Sequence, residues 1–178
     1  MLRRLAITFL FFLATFAARP AMPESKFNQQ QEQPLFIAVK NNDPEFAHAI
    51  QQAQATLSVF RALLAAPNHT PSSGAIRMVK TRIVEGKEAM WLWLNVEADG
   101  QTSFSASVFE APPEFPSLTS GIVRTVPDTE IADWAIIDST GLVNGGFSLR
   151  LQRSRRPEAE RAAYDSYIGA KTYAPLPP

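Results

Sequence analysis

The clearest pattern of apolar positions lies between residues 43 and 66. Apolar side chains recur there at steps of three and four, at Phe46, Ile50, Ala53, Leu57, Phe60 and Leu64. This spacing places them on one face of an α-helix. Asp43 can cap such a helix with Pro44 at its first position, and Pro67 ends it. The sequence therefore predicts one long helix with its apolar face on a core.

From residue 76 the period changes to two. The runs 76–84 and 87–97 alternate apolar and polar residues on either side of Glu85-Gly86, which indicates a hairpin. Asp99-Gly100 is a dipeptide favoured in tight turns, and the alternation that follows it predicts a third antiparallel strand. Short strands are also expected in three later stretches, at 121–126, 133–137 and 147–151.

A basic cluster follows the last of these stretches, and residues 159–168 are helix-prone up to Gly169. The elements together predict an α+β fold with one long N-terminal helix packed on a strongly bent antiparallel sheet or small barrel, and a short C-terminal helix. We place this single domain at residues 34–170, with 34–40 as a possible edge strand and 171–178 as a Pro-rich tail.

The first 33 residues have a different character. Arg3 and Arg4 precede an apolar run from Leu5 to Phe16, which is typical of a secretory signal peptide, and we expect cleavage after Ala17. This run is shorter than the ~20 residues that a spanning helix needs, so no permanent membrane anchor is expected. Residues 18–33 are polar and Gln-rich, which indicates a flexible leader. The expected location is periplasmic or secreted.

Composition narrows the possible functions. The chain has no cysteine, so its core alone must hold the fold, and its 178 residues suit one domain. Loss of residues 1–17 leaves 15 basic and 17 acidic residues, a net charge of −2. This balance argues against a nucleic-acid binder. No spacing of the two histidines, His48 and His69, suggests a metal site, no motif suggests a cofactor, and we expect both histidines to be solvated.

Three segments carry a resemblance to a known family. They are Glu88-Ala89-Met90-Trp91, Ile131-Ala132-Asp133-Trp134 and the run from Gly141 to Arg150 that contains Gly145-Gly146-Phe147. In this order and spacing they resemble the YegJ-like family of uncharacterised bacterial proteins, domain of unknown function 2314, over roughly residues 43–169. The chain departs from that family at Ala89, where relatives often carry His. The resemblance implies no catalytic residue.

The three tryptophans are candidate binding residues. Trp91 and Trp93 share the strand face opposite the aliphatic one, so they either lie in the core or form an exposed patch that could grip a partner. Trp134 is expected in the core. Asp133 beside it is either a buried anchor for a turn or a site carboxylate, and Arg150 begins the arginine cluster that could bind an anionic partner.

Three functions remain open. The first is a non-catalytic exported module that binds an envelope protein or a small ligand, since no nucleophile, metal or cofactor motif is present. The second is a hydrolase whose site is assembled from dispersed residues, namely Asp133, Asp138, Ser139 and His69. The third is an envelope immunity or stress protein. A concave pocket with paired titratable groups would favour the enzyme, and a flat aromatic patch would favour the binding module.

Overall fold

The structure is a computed structural model that describes residues 43–109 and 115–177. The helices in this part of the chain are α1 Pro44–Ala55, α2 Leu57–Leu64, α3 Phe147–Ser154 and α4 Glu158–Ile168. The strands are β1 Ile76–Glu85, β2 Glu88–Asp99, β3 Ser103–Val108, β4 Val123–Pro127, β5 Ile131–Ile137, β6 Leu142–Gly145 and β7 Thr172–Tyr173. The expected signal peptide, leader and edge strand at 34–40 lie outside the described residues.

The seven strands form one open sheet in the order β4-β3-β2-β1-β5-β6-β7. All neighbours are antiparallel except β6 and β7, which are parallel. The α+β class and the two predicted hairpins are confirmed, and Gly100 donates its N–H to Ser103 O in the tight turn. The prediction of a small barrel is wrong, because β4 and β7 lie at opposite ends of the strand order and the sheet does not close.

The prediction of one long N-terminal helix is also wrong, because Thr56 divides it into α1 and α2. Thr56 has φ −110° and ψ 14°, outside the helical region. Its hydroxyl donates to Gln52 O at 2.8 Å, and the Trp134 indole Nε1 donates to Ala53 O at 3.2 Å. Side-chain donors therefore form hydrogen bonds with two backbone carbonyl groups at the end of α1. Apolar periodicity continued across the break and concealed it.

The stretch 147–151 is the start of α3 and not a strand, which corrects the third short strand predicted from the sequence. Gly145 and Gly146 both have φ +67°, so the chain turns sharply as β6 ends. Gly146 is the N-cap of α3 and has no side chain to accept a hydrogen bond. Asp133 on β5 instead accepts the N–H of Phe147, the first residue of α3, from a position 14 residues earlier in the chain. A contact this distant in sequence leaves no local capping signal.

The sheet is packed on both faces around its centre. Val79, Leu94 and Trp134 point into the larger apolar cluster, together with side chains of α1 and α2. Their neighbours Met78, Trp93 and Ala135 alternate to the opposite face, where they meet Leu149 of α3. Because both faces of β1, β2 and β5 are buried, the lysine and aspartate on these strands must be accommodated inside the protein.

The last described residues do not all form a tail. Thr172–Tyr173 pairs with β6, and Arg150 holds the pairing by donating to Val143 O at 3.2 Å and to Ala174 O at 2.7 Å. Among the described residues, no helix has the length and apolar character needed to cross a membrane.

Candidate functional site

The main concentration of buried polar side chains lies where β1, β5 and α3 meet. Lys80 and Asp133 are direct partners across the β1–β5 ladder, so their side chains share one face of the sheet. Ser148, in the first turn of α3, lies against both. The exposed fractions are 4% for Lys80, 0% for Asp133 and 1% for Ser148. We call these three residues the buried triad.

Asp133 anchors the start of α3. Its carboxylate accepts the backbone N–H of Trp134 at 2.8 Å, of Phe147 at 3.1 Å and of Ser148 at 2.6 Å. Burial raises the pKa of Asp133 to about 6, although the hydrogen bonds from Ser148 and the charge of Lys80 oppose this shift. The carboxylate satisfies N–H groups that a helix otherwise leaves unpaired at its first turn. Asp133 is therefore the buried anchor that the sequence left as one of two alternatives.

Lys80 is enclosed by two aromatic rings and a hydroxyl. Its Nζ donates to Ser148 Oγ at 3.2 Å and lies 5.2 Å from the Phe46 ring centroid and 5.5 Å from that of Trp93. Both rings are within the range of a cation–π contact. Desolvation lowers the pKa of Lys80 to about 8, and the charge of Asp133 opposes that shift. The ammonium therefore remains mainly charged at neutral pH.

A lysine beside a serine hydroxyl is also the composition of a Ser–Lys nucleophile pair. A nucleophile must reach a substrate, and here both side chains are almost fully buried. A groove of about 430 Å³ runs between α1 and α3, but Lys80 and Ser148 do not line it; His48 and Gln52 do, with Phe147 and Leu151. The triad therefore links β1, β5 and α3 and is closed to substrates.

The tryptophans lie in three different environments. Trp134 is fully buried, as expected, and stacks on Phe60 with ring centroids 5.0 Å apart. Trp93 is buried at 9% exposure. Trp91 is half-buried and packs edge-to-face with Phe46, with the two ring centroids 5.5 Å apart. Trp91 and Trp93 therefore do not form an open aromatic patch. Phe46 of α1 covers this part of the face, which one strand's alternation could not reveal.

Arg150 does not point into open solvent. Besides its bonds to β6 and Ala174, its Nε donates to Gly145 O at 2.8 Å and its guanidinium lies 5.0 Å from the Tyr173 ring. Burial lowers the pKa of Arg150, and Tyr173 opposes the shift. The side chain is occupied in joining α3 to β6 and β7.

The four residues of the hydrolase hypothesis do not form one site. Asp133 belongs to the triad, whereas Asp138 lies five residues further along the chain, which corresponds to roughly 16 Å at a strand's rise of about 3.3 Å per residue. His69, Asp138 and Ser139 do gather at one end of the sheet: hydrogen bonds from Thr140 lower the pKa of Asp138, and the nearby His69 adds to this.

His69 cannot act as the base of such a site as it stands. It is buried at 4% exposure, which corrects the expectation of a solvated side chain. Its Nδ1 contacts Leu63 O at 2.9 Å and its Nε2 contacts Asn68 Nδ2 at 3.1 Å. Both ring nitrogens are therefore engaged in holding the 3₁₀ turn at 67–69. His48 is exposed, as expected. Within the described residues, no three His, Asp or Glu side chains gather as metal ligands would.

Three exposed apolar side chains lie on the two chain segments that pair at one end of the β3–β4 hairpin, with Ile122 on the opposite sheet face from its neighbour Val123. Phe109, Ile122 and Val123 have exposed fractions of 48%, 37% and 58%. Val108 N donates to Ile122 O at 2.9 Å and Ser120 Oγ donates to Phe109 O at 3.0 Å, which brings the two chain segments together. We call these three residues the hairpin patch. Sequence reasoning missed it because each side chain is unremarkable alone, and only the hairpin register brings together the two chain segments that carry them.

Sequence reasoning also missed Lys80 and Ser148 of the buried triad. The available signal was the position of Lys80 directly after Met78-Val79 in the middle of a predicted strand. A lysine in such a strand can equally face solvent. Its burial follows from the packing of α3 and Phe46 on that face.

The fold and these contacts define an open-sheet α+β domain whose buried polar groups hold its own elements together. A family model described as "Uncharacterized protein conserved in bacteria (DUF2314)" matches residues 43–171, and the chain belongs to this family. The match confirms the resemblance at the level of the family of unknown function and does not extend to the YegJ name. Comparison with curated proteins and with solved structures found no match to either.

Proposed function

We propose that this protein is an exported, non-catalytic module that binds another protein through the hairpin patch. The hairpin patch is the observation that carries the proposal. Exposed apolar residues scattered singly are common on protein surfaces, whereas larger exposed apolar patches mark interaction sites. The buried triad supports the same conclusion, since its lysine, aspartate and serine are already engaged with one another.

The binding part of the proposal can be tested with a displayed library of random peptides selected on the mature chain. We expect enriched peptides whose affinity falls about tenfold or more in Phe109→Ser/Val123→Ser, because truncating a central apolar contact costs ~1–4 kcal/mol. Val59→Ser/Ile76→Ser is the matched control, since these side chains are 37% and 45% exposed and lie on α2 and at the start of β1.

Two results would contradict the proposal. One is selection of no peptide above background. The other is equal loss of affinity in the patch variant and in the control, which would show that the patch has no special role. Thermal unfolding of each variant establishes that it is folded before binding is compared.

Export rests on the first 17 residues, whose basic start and apolar run are typical of a signal peptide. N-terminal sequencing of the protein isolated from producing bacteria tests this point. We expect a mature chain that begins at Ala18 in the envelope or medium. In Phe11→Arg, a charge interrupts the apolar run, and we expect the uncleaved chain to remain inside the cell. Recovery of uncleaved wild-type protein from the cytoplasm alone would contradict export.

A further inference from the structure

We infer that the partner binds as an added strand: an extended segment of another protein, with alternating acidic and apolar residues, pairs with the free edge of β4. This inference rests on the proposed function and specifies the partner's chemistry. It combines three features of β4, which are its free backbone groups, its unpaired charge and its position next to the hairpin patch.

The free backbone groups follow from the ladder. Among the residues that the structure describes, β4 pairs only with β3 and ends the strand order on its side. Val108 N donates to Ile122 O, and in an antiparallel ladder hydrogen-bonded and non-hydrogen-bonded pairs alternate. Val123 and Thr125 therefore direct their N–H and C=O groups away from β3. The next outward position is Pro127, which has no N–H. The N–H groups of Val123 and Thr125 are therefore the two donors that this free edge offers.

A short edge of this kind is suited to one added strand. Edge strands are often shielded by charges, prolines or covering elements, because an open edge can pair with any extended chain. At the other end of the sheet β7 has only two residues, and prolines follow it at 175 and 177. β4 retains four outward backbone groups beside Val123, which is 58% exposed. Strand addition gives affinity through backbone hydrogen bonds and specificity through alternate side chains.

The charge on β4 indicates an acidic occupant. Arg124 is exposed and makes no ion pair with any of the described residues. Its side chain lies on the opposite face of β4 from Val123 and Thr125. An added strand that alternates apolar and acidic residues would place an apolar side chain beside Val123 and a carboxylate beside Arg124. Opposite charges on neighbouring strands stabilise the pair.

The same charge argues against a second copy of this chain as the occupant. Two β4 edges that use both outward positions would pair Val123 with Thr125 of the other copy in an antiparallel arrangement. That register places Arg124 directly opposite Arg124. Like charges directly opposite each other on neighbouring strands are destabilising. A partner with its own acidic strand avoids this repulsion.

The test uses the ¹⁵N-labelled mature chain and a nine-residue peptide that alternates valine with aspartate. A matched peptide alternates valine with lysine. We expect the aspartate peptide to bind at least tenfold more tightly, and to slow hydrogen exchange at the Val123 and Thr125 amides, whose protection reports strand addition directly. In Arg124→Glu we expect the preference between the two peptides to reverse.

Variants at Thr125 separate backbone pairing from side-chain contact. Thr125→Pro removes an outward N–H without removing a ladder bond, and we expect about tenfold weaker binding. Thr125→Val keeps the N–H, and we expect its binding to be unchanged. If Thr125→Pro does not fold, the exchange rates of the wild-type amides still decide the question.

The outcomes distinguish this inference from the proposed function. Library peptides that bind the hairpin patch without protecting the Val123 and Thr125 amides would overturn strand addition and leave the interaction module intact. Patch binding with no preference between the aspartate and lysine peptides would overturn the acidic partner. Concentration-dependent dimers held by β4 would replace it with a second copy. Failure of every peptide to bind would overturn both proposals.

Discussion

Replacing Lys80 with methionine tests how the buried triad contributes to stability. Burial lowers the pKa of Lys80 from 10.5 to about 8, so carrying its charge inside the fold costs about 3 kcal/mol at 1.36 kcal/mol per pKa unit. Methionine fills a similar volume and has no charge. Where Asp133 is protonated, near pH 5, Lys80→Met should therefore be more stable than the wild type, by up to about 3 kcal/mol.

The advantage should disappear as the pH rises. The pKa of Asp133 is about 6 with Lys80 present, and it rises further when the lysine charge is removed. A raised carboxyl pKa means that the folded state holds the proton longer than the unfolded state, so stability falls as the pH rises through this window. The variant should therefore keep losing stability above pH 6, where the Asp133 contribution in the wild type has levelled off.

The lysine acts in the opposite direction at higher pH. Its lowered pKa means that the unfolded state binds more protons between pH 8 and 10.5, so wild-type stability rises across that interval. The variant lacks this gain. The stability of the wild type relative to Lys80→Met should consequently increase steadily from pH 6 to pH 10.5.

Urea unfolding followed by tryptophan fluorescence, at intervals of one pH unit, measures this difference directly. Lys87→Met is the matched control for loss of a lysine charge, because Lys87 is exposed in the β1–β2 turn. A stability difference for Lys80→Met that does not change with pH would refute the reasoning, since it would mean that Lys80 and Asp133 are not titrating as buried neighbours.

Three further predictions concern single contacts. Trp134→Phe should lower the free energy of unfolding by about 2–4 kcal/mol, measured by heat or urea, because it removes the buried indole donor to Ala53 O and Thr56 Oγ1. Trp91→Phe should cost less, and equal costs would contradict the role of that donor. Gly145→Ala should lower the free energy of unfolding by more than about 3 kcal/mol, because its Cβ would lie 2.5 Å from the Trp134 ring. Gly86→Ala, with φ +60° and no atom within 4 Å of its Cβ, should cost only about 1–2 kcal/mol. Similar losses would show that backbone strain alone decides both. Arg155→Met should raise the pKa of Asp43 from about 2 towards 3.8 in an NMR titration, because hydrogen bonds from Arg155 are the largest cause of the lowered value; an unchanged pKa would contradict this cause.

Local patterns predicted those parts of the fold that depend on neighbours in the chain. The β1–β2 hairpin and the Asp99-Gly100 turn follow from strict alternation and turn chemistry, and the α1 cap follows from Asp43 and Pro44. The break at Thr56 and the start of α3 were not predictable in this way. Trp134 reaches Thr56 across 78 positions, and Asp133 reaches Ser148 across 15.

The candidate site shows the same division. The sequence marked Asp133 as an anchor or a site carboxylate but could not choose between them, because the choice depends on the α3 amides. It could not choose between core and surface for Trp93, because Phe46 and α3 cover that face. The hairpin patch and the free β4 edge depend on strand order, which one sequence does not specify.

The central claim is that the buried triad joins β1, β5 and α3 inside the fold while the hairpin patch binds the partner. Titration of one library-selected peptide into Lys80→Met and into Phe109→Ser/Val123→Ser, both shown to be folded, tests it most directly. The account predicts wild-type affinity within about twofold for Lys80→Met and about tenfold or greater loss for the patch variant. Loss of binding in Lys80→Met with full binding in the patch variant would contradict it, and would place the functional site at the triad.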